Sequence, residues 1–514
     1  MRALAHVGLV IGSILALLLL LAGVELALRI AGIGEGRRRH DPFAGFSRTV
    51  PLFEPAQSAE GRRILRLSEA RQRAATGHVA NEPQREFLAE KPPGSFRVFV
   101  VGDSSAAGVP YGTKYAFSSW LERRLEAELP AVPIEVVNAA ISGYATRRIL
   151  TVVQELAAYS PDLVIVYAGH NEFAERRFYA HLLELDPRVF RLWEGVVGTR
   201  LYGLLAGLRG SEPEPPRIDL DDRKTAIQMF AVLGDRAAGA GYPSAREREY
   251  GELLYRFNLE EIARVARSAG ARALFVTQSQ NFADWAPGAS QHREGLSAED
   301  LARWDAAAAA GDAARSAGDC DAALSAWRSA LAIDDAYADL VYRVAACERA
   351  LGRFEAARRD YRRASDLDRV PHGAPTRYNE ILREVAREEG ALFTDADAAI
   401  ERASEHGLVG DAWFADFVHP RIRAHVTIAD AVAGTLQAAG LPAPAASWRS
   451  DLYAPPDVDA IYRSDPAPEL QEHLVRALAC MLALRSACSL SEARAVLAID
   501  PSNDVARRML DDSK

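Results

Sequence analysis

The chain has 514 residues, 49% hydrophobic and 25% charged, an ordinary globular composition with room for about two to four domains and a large core. A formal net charge of −9 argues against nucleic acid as a partner. The four cysteines show no spacing typical of a zinc site, so we expect neither a metal nor a cofactor.

The N-terminus carries a long apolar segment. Ala3–Val24 has no formal charge, and its length is about what a helix needs to cross a bilayer. A cleaved signal peptide has a shorter apolar region and a small-residue exit site, so we predict an uncleaved single-pass membrane anchor over residues 1–33, with the rest of the chain extracytoplasmic, in the periplasm. The positive-inside rule opposes this orientation, because Arg2 alone precedes the segment and three arginines follow it at 37–39.

Residues 34–94 are rich in charge and poor in apolar runs. We predict a charged stalk or linker here, partly helical around Arg62–Ala75. The first strong apolar run comes directly after this segment.

Beyond the stalk, apolar runs alternate with amphipathic helical patterns, which indicates an α/β fold with a doubly wound parallel sheet. We predict five strands, at Val98–Val101, Ile134–Val137, Leu163–Tyr167, Ala273–Thr277 and Ala391–Thr394. The predicted helices are Phe117–Leu129, Arg147–Tyr159, Glu249–Ala269, Arg377–Glu389 and Ala424–Ala438. The apolar runs with little polar alternation are typical of strands buried on both faces.

Two insertions interrupt this alternation, and each leaves from the carboxyl end of a strand. The first, residues 174–245, contains a Pro-rich hinge at Glu212–Pro216. It also contains an apolar stretch, Val189–Leu208, typical either of a core helix or of a helix on a membrane surface. Because open α/β sheets bind ligands at that edge, the insertions suggest a lid or a docking platform for an extended acyl-bearing substrate, although loops tolerate insertions in general.

The second insertion contains a sequence repeat. Five residues recur 34 positions further on: Gly318, Ala323, Trp327, Ala330 and Asp334 return as Gly352, Ala357, Tyr361, Ala364 and Asp368. This is the period of a tetratricopeptide (TPR) helix pair, so we predict inserted TPR repeats over residues 297–370 that pack on the α/β body and offer a surface to a protein partner. We also predict a C-terminal helical segment over residues 446–514, in which Glu492–Pro501 is similar to a third unit.

The motif Gly102-Asp103-Ser104 directly follows the first strand of the predicted sheet. A serine at this edge becomes a nucleophile when a base and oxyanion donors converge on it. Gly-Asp-Ser is also a common turn tripeptide, so other parts of the chain must supply the catalytic partners.

Candidate partners for Ser104 follow other predicted elements. Asp416 and His419 lie three residues apart before a predicted helix, a spacing at which the carboxylate can fix the imidazole tautomer. Gly143 follows the second strand and permits close approach of a backbone N–H, and Asn171 follows the third strand with a carboxamide donor. Each also has a bland interpretation, as a helix cap, a buried histidine or a turn residue. Those interpretations do not explain why four candidate site residues follow different predicted elements and all meet at one edge of the sheet.

Taken in order, these motifs resemble those of the SGNH (GDSL) serine hydrolases. The resemblance implies a flavodoxin-like three-layer α/β/α domain with a serine nucleophile, its base, an orienting acid and oxyanion donors. The resemblance implies that Ser104 is the nucleophile, His419 its base and Asp416 the orienting acid. It implies that the oxyanion donors are the N–H of Ser104, the N–H of Gly143 and the side chain of Asn171.

The resemblance covers roughly residues 95–290 and 372–440, and we predict a hydrolase domain in two parts, residues 95–290 and 371–445. Ser105 stands where the common motif has Leu, and Glu172 stands where many members have Asp, and neither change touches a catalytic role. The larger departure is spacing, because both insertions lie between Asn171 and Asp416. An N-terminal membrane helix, an SGNH domain and TPR repeats together are similar to the architecture of bacterial envelope proteins.

The leading hypothesis is a membrane-anchored esterase or deacylase that hydrolyses an ester bond, with the acyl group carried by an envelope glycan, a lipid or a similar compound. One alternative with the same residues is an O-acyltransferase, in which a sugar hydroxyl replaces the attacking water. A second alternative is a non-catalytic TPR scaffold whose α/β domain binds a glycan.

The even number of cysteines is compatible with two disulfides. In TPR packing, Cys320 opens one helix and Cys347 closes its antiparallel neighbour, so their Cα atoms can approach within bonding range. Cys480 and Cys488 flank a predicted helix end and form a second candidate pair. The alternative is that all four are small buried apolar residues.

Overall fold

The structure, a computed structural model, describes residues 2–34, 43, 45–69, 71, 85–208 and 244–511. It begins with helix α1, Arg2–Ile30. Within this helix, Ile11–Ile30 is long and apolar enough to cross a membrane, and none of that stretch is buried in the protein. In the described part of the chain this is the one helix that meets the criterion, and it fits either a membrane anchor or a signal sequence.

Part of the segment expected to be a stalk folds as a small antiparallel sheet. Its strands, in spatial order, are β1 (Phe53–Gln57), β2 (Arg63–Leu67) and β3 (Glu86–Leu88). The helix expected around Arg62–Ala75 is therefore wrong over β2, and residues 72–75 of that expectation lie outside the described residues. A strand is favoured over a helix here because Leu65 and Phe87 are cross-strand partners and pack into the same core as the main sheet.

A five-stranded parallel sheet forms the centre of the body, as the sequence predicts. Its strands are β4 (Phe96–Gly102), β5 (Ile134–Asn138), β6 (Leu163–Tyr167), β7 (Arg272–Val276) and β8 (Leu392–Thr394). Their order is β5-β4-β6-β7-β8, the flavodoxin-like arrangement. Every residue of β4 and β6 is buried, which is why these runs show so little polar alternation.

Helices connect β4 to β7 and continue into the first insertion. They are α2 (Ser104–Ala107), α3 (Phe117–Glu128), α4 (Thr146–Leu156), α5 (Glu172–Leu183), α6 (Pro187–Val197), α7 (Arg200–Leu208) and α8 (Ala245–Ser268). The Pro-rich hinge expected at Glu212–Pro216 lies outside the described residues.

The apolar stretch of the first insertion is not a core helix throughout. Four side chains on one face of α6 are between 46% and 73% exposed: Val189, Leu192, Trp193 and Val196. They follow the i, i+3, i+4, i+7 pattern of a continuous helical face, which we name the α6 face. The core-helix interpretation is therefore wrong for this face, whereas Phe190 and Val197 are buried in a small cluster with Phe43 and Phe46.

Four helices form the second insertion, each packed against the next. They are α9 (Ala298–Ser316), α10 (Cys320–Leu331), α11 (Ala338–Ala350) and α12 (Phe354–Leu367). The residues that recur in the sequence occupy matching places: Gly318 and Gly352 both have positive φ just before the second helix of each pair, and Trp327 and Tyr361 are both buried. A disulfide joins Cys320 to Cys347, with Cα atoms 5.3 Å apart.

The chain then completes the body and ends in a helical segment. The remaining helices are α13 (Thr376–Glu389), α14 (Ala396–Ala403), α15 (Ile422–Ala438), α16 (Val458–Ser464), α17 (Ala467–Leu482), α18 (Ser486–Ile499) and α19 (Asp504–Asp511). A second disulfide joins Cys480 and Cys488 across the turn between α17 and α18. Glu472 of α17 accepts hydrogen bonds from Tyr111 and Arg421, which attach this segment to the body.

Two hydrophobic cores lie on opposite faces of the main sheet. On one face Val98 and Val100 pack with apolar residues of α3 and α15. On the other face Phe99 and Val101 pack with residues of α4, α8 and α13. Alternate residues of β4 thus enter alternate cores, and the result is a three-layer α/β/α body.

Candidate active site

The turn after β4 presents Ser104 at the carboxyl edge of the sheet. Asp103 is buried and caps α2, accepting from the Ser105 N–H at 3.0 Å and from the Gln278 side chain at 3.1 Å. A Cβ atom on Gly102 would lie only 2.1 Å from the Tyr167 carbonyl oxygen, so the strand can turn this sharply only with glycine.

His419 lies against Ser104, and Asp416 lies against His419. The His419 Nε2 atom is 2.9 Å from the Ser104 Oγ atom, and its Nδ1 atom is 2.6 Å from Asp416 Oδ2. Asp416 Oδ1 accepts from the backbone N–H groups of Val418 and His419 at 2.9 and 2.8 Å. The carboxylate is therefore held in place, and it fixes the proton of the neutral imidazole on Nδ1, leaving Nε2 free to accept.

Burial is the largest single influence on both pKa values, and the charges and hydrogen bonds within the pair together oppose it. Burial opposes the charged form of His419, but the Asp416 carboxylate outweighs it and raises the His419 pKa above the ordinary value of 6.5. Burial likewise works against the charge of Asp416, but His419 lowers the Asp416 pKa below its ordinary value. Asp416 thus stays ionised beside a more basic histidine.

Three residues that were not predicted as site residues bond to this loop or to the turn that bears Ser104. The Ser105 hydroxyl donates to the Val418 carbonyl at 3.1 Å. The Asn281 backbone N–H donates to the Phe417 carbonyl at 3.0 Å, and its side chain donates to the Asp416 carbonyl at 3.1 Å. Gln278 is the third, through its bond to Asp103. The polar run Gln278–Asn281 directly after β7 was the available signal.

Gly143 and Asn171 follow β5 and β6, the two strands that flank β4. The Asn171 side-chain N–H donates to the Tyr144 carbonyl at 3.2 Å, so the two strand ends are joined directly. Gly143 has a φ of +77°, and no atom lies within 4 Å of where its Cβ would be. A carboxamide has two N–H donors, so Asn171 keeps a second donor after bonding to Tyr144.

Glu172 also connects the segments that follow β5 and β6. It accepts from the Thr146 N–H at 2.8 Å and from the Thr146 hydroxyl at 3.1 Å. Burial and the nearby Glu175 raise the Glu172 pKa to about 8. Glu175 in turn pairs with Arg148, whose guanidinium also donates to the Gly143 carbonyl. Glu172, which stands where Asp is common in the resembling family, therefore has a structural role in this loop cluster.

The site contains no evident metal position. Among the residues that the structure describes, no group of three or more His, Cys, Asp or Glu side chains could hold a metal ion. The contacts that the site does show join a serine, a histidine and a carboxylate.

Part of the chain matches a known family of ester hydrolases. Residues 100–343 match the GDSL-like Lipase/Acylhydrolase family model. The matched stretch includes Ser104, Gly143 and Asn171, whereas Asp416 and His419 lie beyond its end. No curated protein matches the sequence.

Several solved structures are similar in part. The structure of TesA is 15% identical and covers 66% of this chain and 97% of its own, with a TM-score of 0.27. An extracellular lipase from Streptomyces rimosus is 11% identical, with 67% and 100% covered and a TM-score of 0.27. The psychrotrophic esterase EstA from Pseudoalteromonas sp. is 10% identical, with 66% and 97% covered and a TM-score of 0.25.

The family match includes strands β5, β6 and β7, the end of β4 and the turn that bears Ser104. Residues 100–343 are therefore similar to the GDSL-like lipases and acylhydrolases, and the chain is an ester-hydrolysing enzyme.

Proposed function

We propose that the protein is a membrane-anchored serine esterase or deacylase that removes an O-acyl group from a glycan or lipid of the cell envelope. The observation that carries this proposal is the hydrogen-bonded order Ser104, His419, Asp416, with contacts of 2.9 and 2.6 Å. Nucleophile, base and orienting acid in contact are the requirement for acyl transfer through a covalent intermediate.

In the first half-reaction the Ser104 Oγ atom attacks the ester carbonyl while His419 Nε2 takes its proton. The tetrahedral intermediate collapses, the C–O bond to the alcohol breaks, and the departing alcohol receives that proton from His419. In the second half-reaction His419 takes a proton from water, which attacks the acyl-enzyme. The acid is released and Ser104 regains its proton. Asp416 stabilises the imidazolium during both halves.

The negative oxygen of each tetrahedral intermediate needs donors that are already in place. We assign these to the N–H of Ser104, the N–H of Gly143 and the second N–H of the Asn171 side chain. Their positions at the ends of β4, β5 and β6 support the assignment, because these strands are neighbours in the sheet. The bond from Asn171 to Tyr144 keeps two of the three donors in a fixed relation.

We propose that α1 is the anchor and that the body lies close to the membrane on the extracytoplasmic side. Two hydrogen bonds between α1 and α7 support a body that lies close to the membrane. The Arg200 side chain donates to the carbonyl of Leu28 at 2.9 Å, and Glu25 accepts from the Leu201 N–H at 3.1 Å. The end of α1 and the start of α7 thus cap each other. The two disulfides support an oxidising compartment.

We propose that α9–α12 are inserted TPR repeats, over residues 297–370, that divide the hydrolase domain into residues 95–290 and 371–445. The 34-residue recurrence and the matching burial of Trp327 and Tyr361 support this assignment. The exposed surface of the repeats is the proposed docking place for a protein partner.

The test combines labelling with turnover in full-length protein in detergent. A fluorophosphonate probe is expected to label the wild type, and release of acetate from p-nitrophenyl acetate is expected to accompany labelling. Ser104→Ala should abolish both, and Ser329→Ala, at an exposed serine of α10, should change neither. Wild-type turnover in the Ser104→Ala variant would overturn the proposal. Acyl transfer to an added glycan in place of acetate release would instead identify the O-acyltransferase.

A further inference from the structure

The loop that carries Gly143 is held by hydrogen bonds rather than by side-chain packing. Gly143 has no side chain, its φ is +77°, and no atom lies within 4 Å of where its Cβ would be. A glycine in such open space keeps one conformation only if the peptides that follow it are tied down. Because an oxyanion donor must be in place before the reaction begins, the groups that tie this loop determine whether the Gly143 N–H can serve.

Those groups come from Asn171 and from the first turn of α5, which begins directly after it. The Ala145 N–H donates to Glu175 Oε1 at 3.1 Å. The next N–H along the loop, that of Thr146, donates to Glu172 Oε1 at 2.8 Å, and the Thr146 hydroxyl lies 3.1 Å from Glu172 Oε2. With the bond from the Asn171 side chain to the residue before Ala145, three consecutive residues of the loop are joined to this one turn.

The groups that face Glu172 bring more acid than base. Glu175 pairs with the Arg148 guanidinium, so that cation is already engaged. Glu172 has the backbone and side chain of Thr146 as its hydrogen-bond partners. The other titratable groups that act on Glu172, or on which it acts, are a carboxyl of the turn after β4 and one hydroxyl each of α8 and α13: Asp103, Tyr255 and Tyr378. None of these three supplies a positive charge.

The Glu172 carboxyl is therefore neutral at pH 7. Burial and the Glu175 carboxylate raise its pKa to about 8. The contact with the Thr146 hydroxyl suits both forms, because a carboxylate accepts from the hydroxyl and a protonated carboxyl donates to the hydroxyl oxygen. Ionisation adds a second negative charge three residues from Glu175 on the same helix, and like charges at that spacing repel.

We propose that Glu172 is a positioning residue for the oxyanion donors of Gly143 and Asn171 and that it holds them in its neutral form. The inference rests on the proposed esterase function and assigns this residue a part in it. Glu172 and Glu175 hold adjacent N–H groups of one loop, so an uncharged Glu172 lets both carboxyls stay close. When Glu172 ionises, the two carboxylates repel, and the loop that carries Gly143 moves away from the oxyanion.

The pH profile of kcat tests this inference in the full chain, with p-nitrophenyl acetate as substrate and Ser104→Ala protein as the blank. In the wild type kcat should fall as pH rises through about 8, by about tenfold at pH 9.5. Glu172→Ala should lower kcat at pH 7 by about 10–100-fold, with KM within about twofold, because misplaced donors act on the transition state. Glu172→Gln should recover most of that loss, since an amide also donates and accepts, and should show no alkaline fall.

The matched control is Glu299→Gln, at an exposed glutamate in the first turn of α9, which should keep the wild-type profile. An alkaline fall in Glu172→Gln equal to that of the wild type would overturn the inference. So would a loss in Glu172→Ala that is confined to KM, because Glu172 would then bind substrate rather than position donors.

Infrared difference spectra between pH 7 and pH 9.5 give a readout that needs no turnover. The wild type should lose intensity in the protonated-carboxyl band that Glu172→Gln does not lose. Equal spectra for the two proteins, with ester turnover and fluorophosphonate labelling intact, would overturn this inference alone. A wild type that neither turns over the ester nor takes the label would overturn the proposed function, and this inference with it.

Discussion

At the scale of single residues, the effect of the Asp416 carboxylate on the His419 pKa determines the pH dependence of the proposed reaction. His419 accepts the Ser104 proton only when it is neutral, so the rate rises as pH passes upward through the His419 pKa. Asp416 raises that pKa above 6.5, and this places the acid limb of kcat/KM above pH 6.5.

The prediction at this scale is a shift of that limb. Asp416→Asn removes the charge that raises the His419 pKa, so the inflection should move to lower pH. The rate on the plateau should also fall, by about 10⁴, because the favoured tautomer is lost. The pH profile of kcat/KM on p-nitrophenyl acetate measures both effects. Asp321→Asn, at an exposed carboxylate of α10, is the control, and an inflection unmoved by loss of Asp416 would contradict the assignment.

At the scale of elements, two glycines at neighbouring strand ends serve different purposes. Gly102 is fixed by packing, since a Cβ there would lie 2.1 Å from the Tyr167 carbonyl oxygen and 2.5 Å from Ala106 Cβ. Gly143 is fixed by conformation alone, because its φ is +77° and the space around it is open.

These differences predict unequal effects of the same substitution. Gly102→Ala should cost about 3 kcal/mol or more, since the obstacle is backbone and cannot move aside. Gly143→Ala should cost about 1–2 kcal/mol, the penalty of a left-handed residue, yet slow the reaction by displacing its N–H. Thermal unfolding followed by circular dichroism, with ester turnover alongside, compares the two variants. Equal losses of stability would be incompatible with this difference in packing.

The elements also show what the sequence could and could not reveal. The five strands of the main sheet were predictable because burial on both faces leaves uniform apolar runs such as Leu163–Tyr167. Strand β2 was not predictable, since Arg63–Leu67 mixes two arginines with apolar residues and finds its partner Phe87 beyond residue 80. Its burial comes from packing on another sheet, and no local pattern records that.

The same distinction holds inside the site. Ser104, His419 and Asp416 occur in short motifs, because each must stand at a strand end or a tight turn. The residues around them are joined by long-range contacts: Ser105 reaches Val418, and Trp285 meets His372. Such contacts depend on how distant parts of the chain pack together. The hydrophobic periodicity of the sequence describes local structure and does not predict that packing.

At the scale of the whole molecule, the apolar helix α1 and the α6 face are connected through helix α7, which contacts both α1 and α6. Helix α7 is bonded to the end of α1 through Arg200 and Glu25, and α6 directly precedes α7 in the chain. Leu205 and Leu208 of α7 are 54% and 80% exposed. Exposed apolar faces of this extent beside a helix that is apolar enough to span a membrane are typical of helices that lie in the membrane interface.

The α6 face should therefore contact lipid when the full chain is reconstituted in vesicles. Leu192→Cys, labelled with an environment-sensitive fluorophore, should show blue-shifted emission that brominated phospholipids quench. Ser329→Cys, at an exposed position of α10, should remain water-like and unquenched. The two disulfides leave no free cysteine to compete for the label. If the emission from position 192 were as water-like as that from position 329, the prediction that the α6 face contacts lipid would be wrong. Because α5 runs from Asn171 toward α6, a lipid-bound α6 would also hold the sheet edge that bears Ser104 within reach of substrates attached to the membrane.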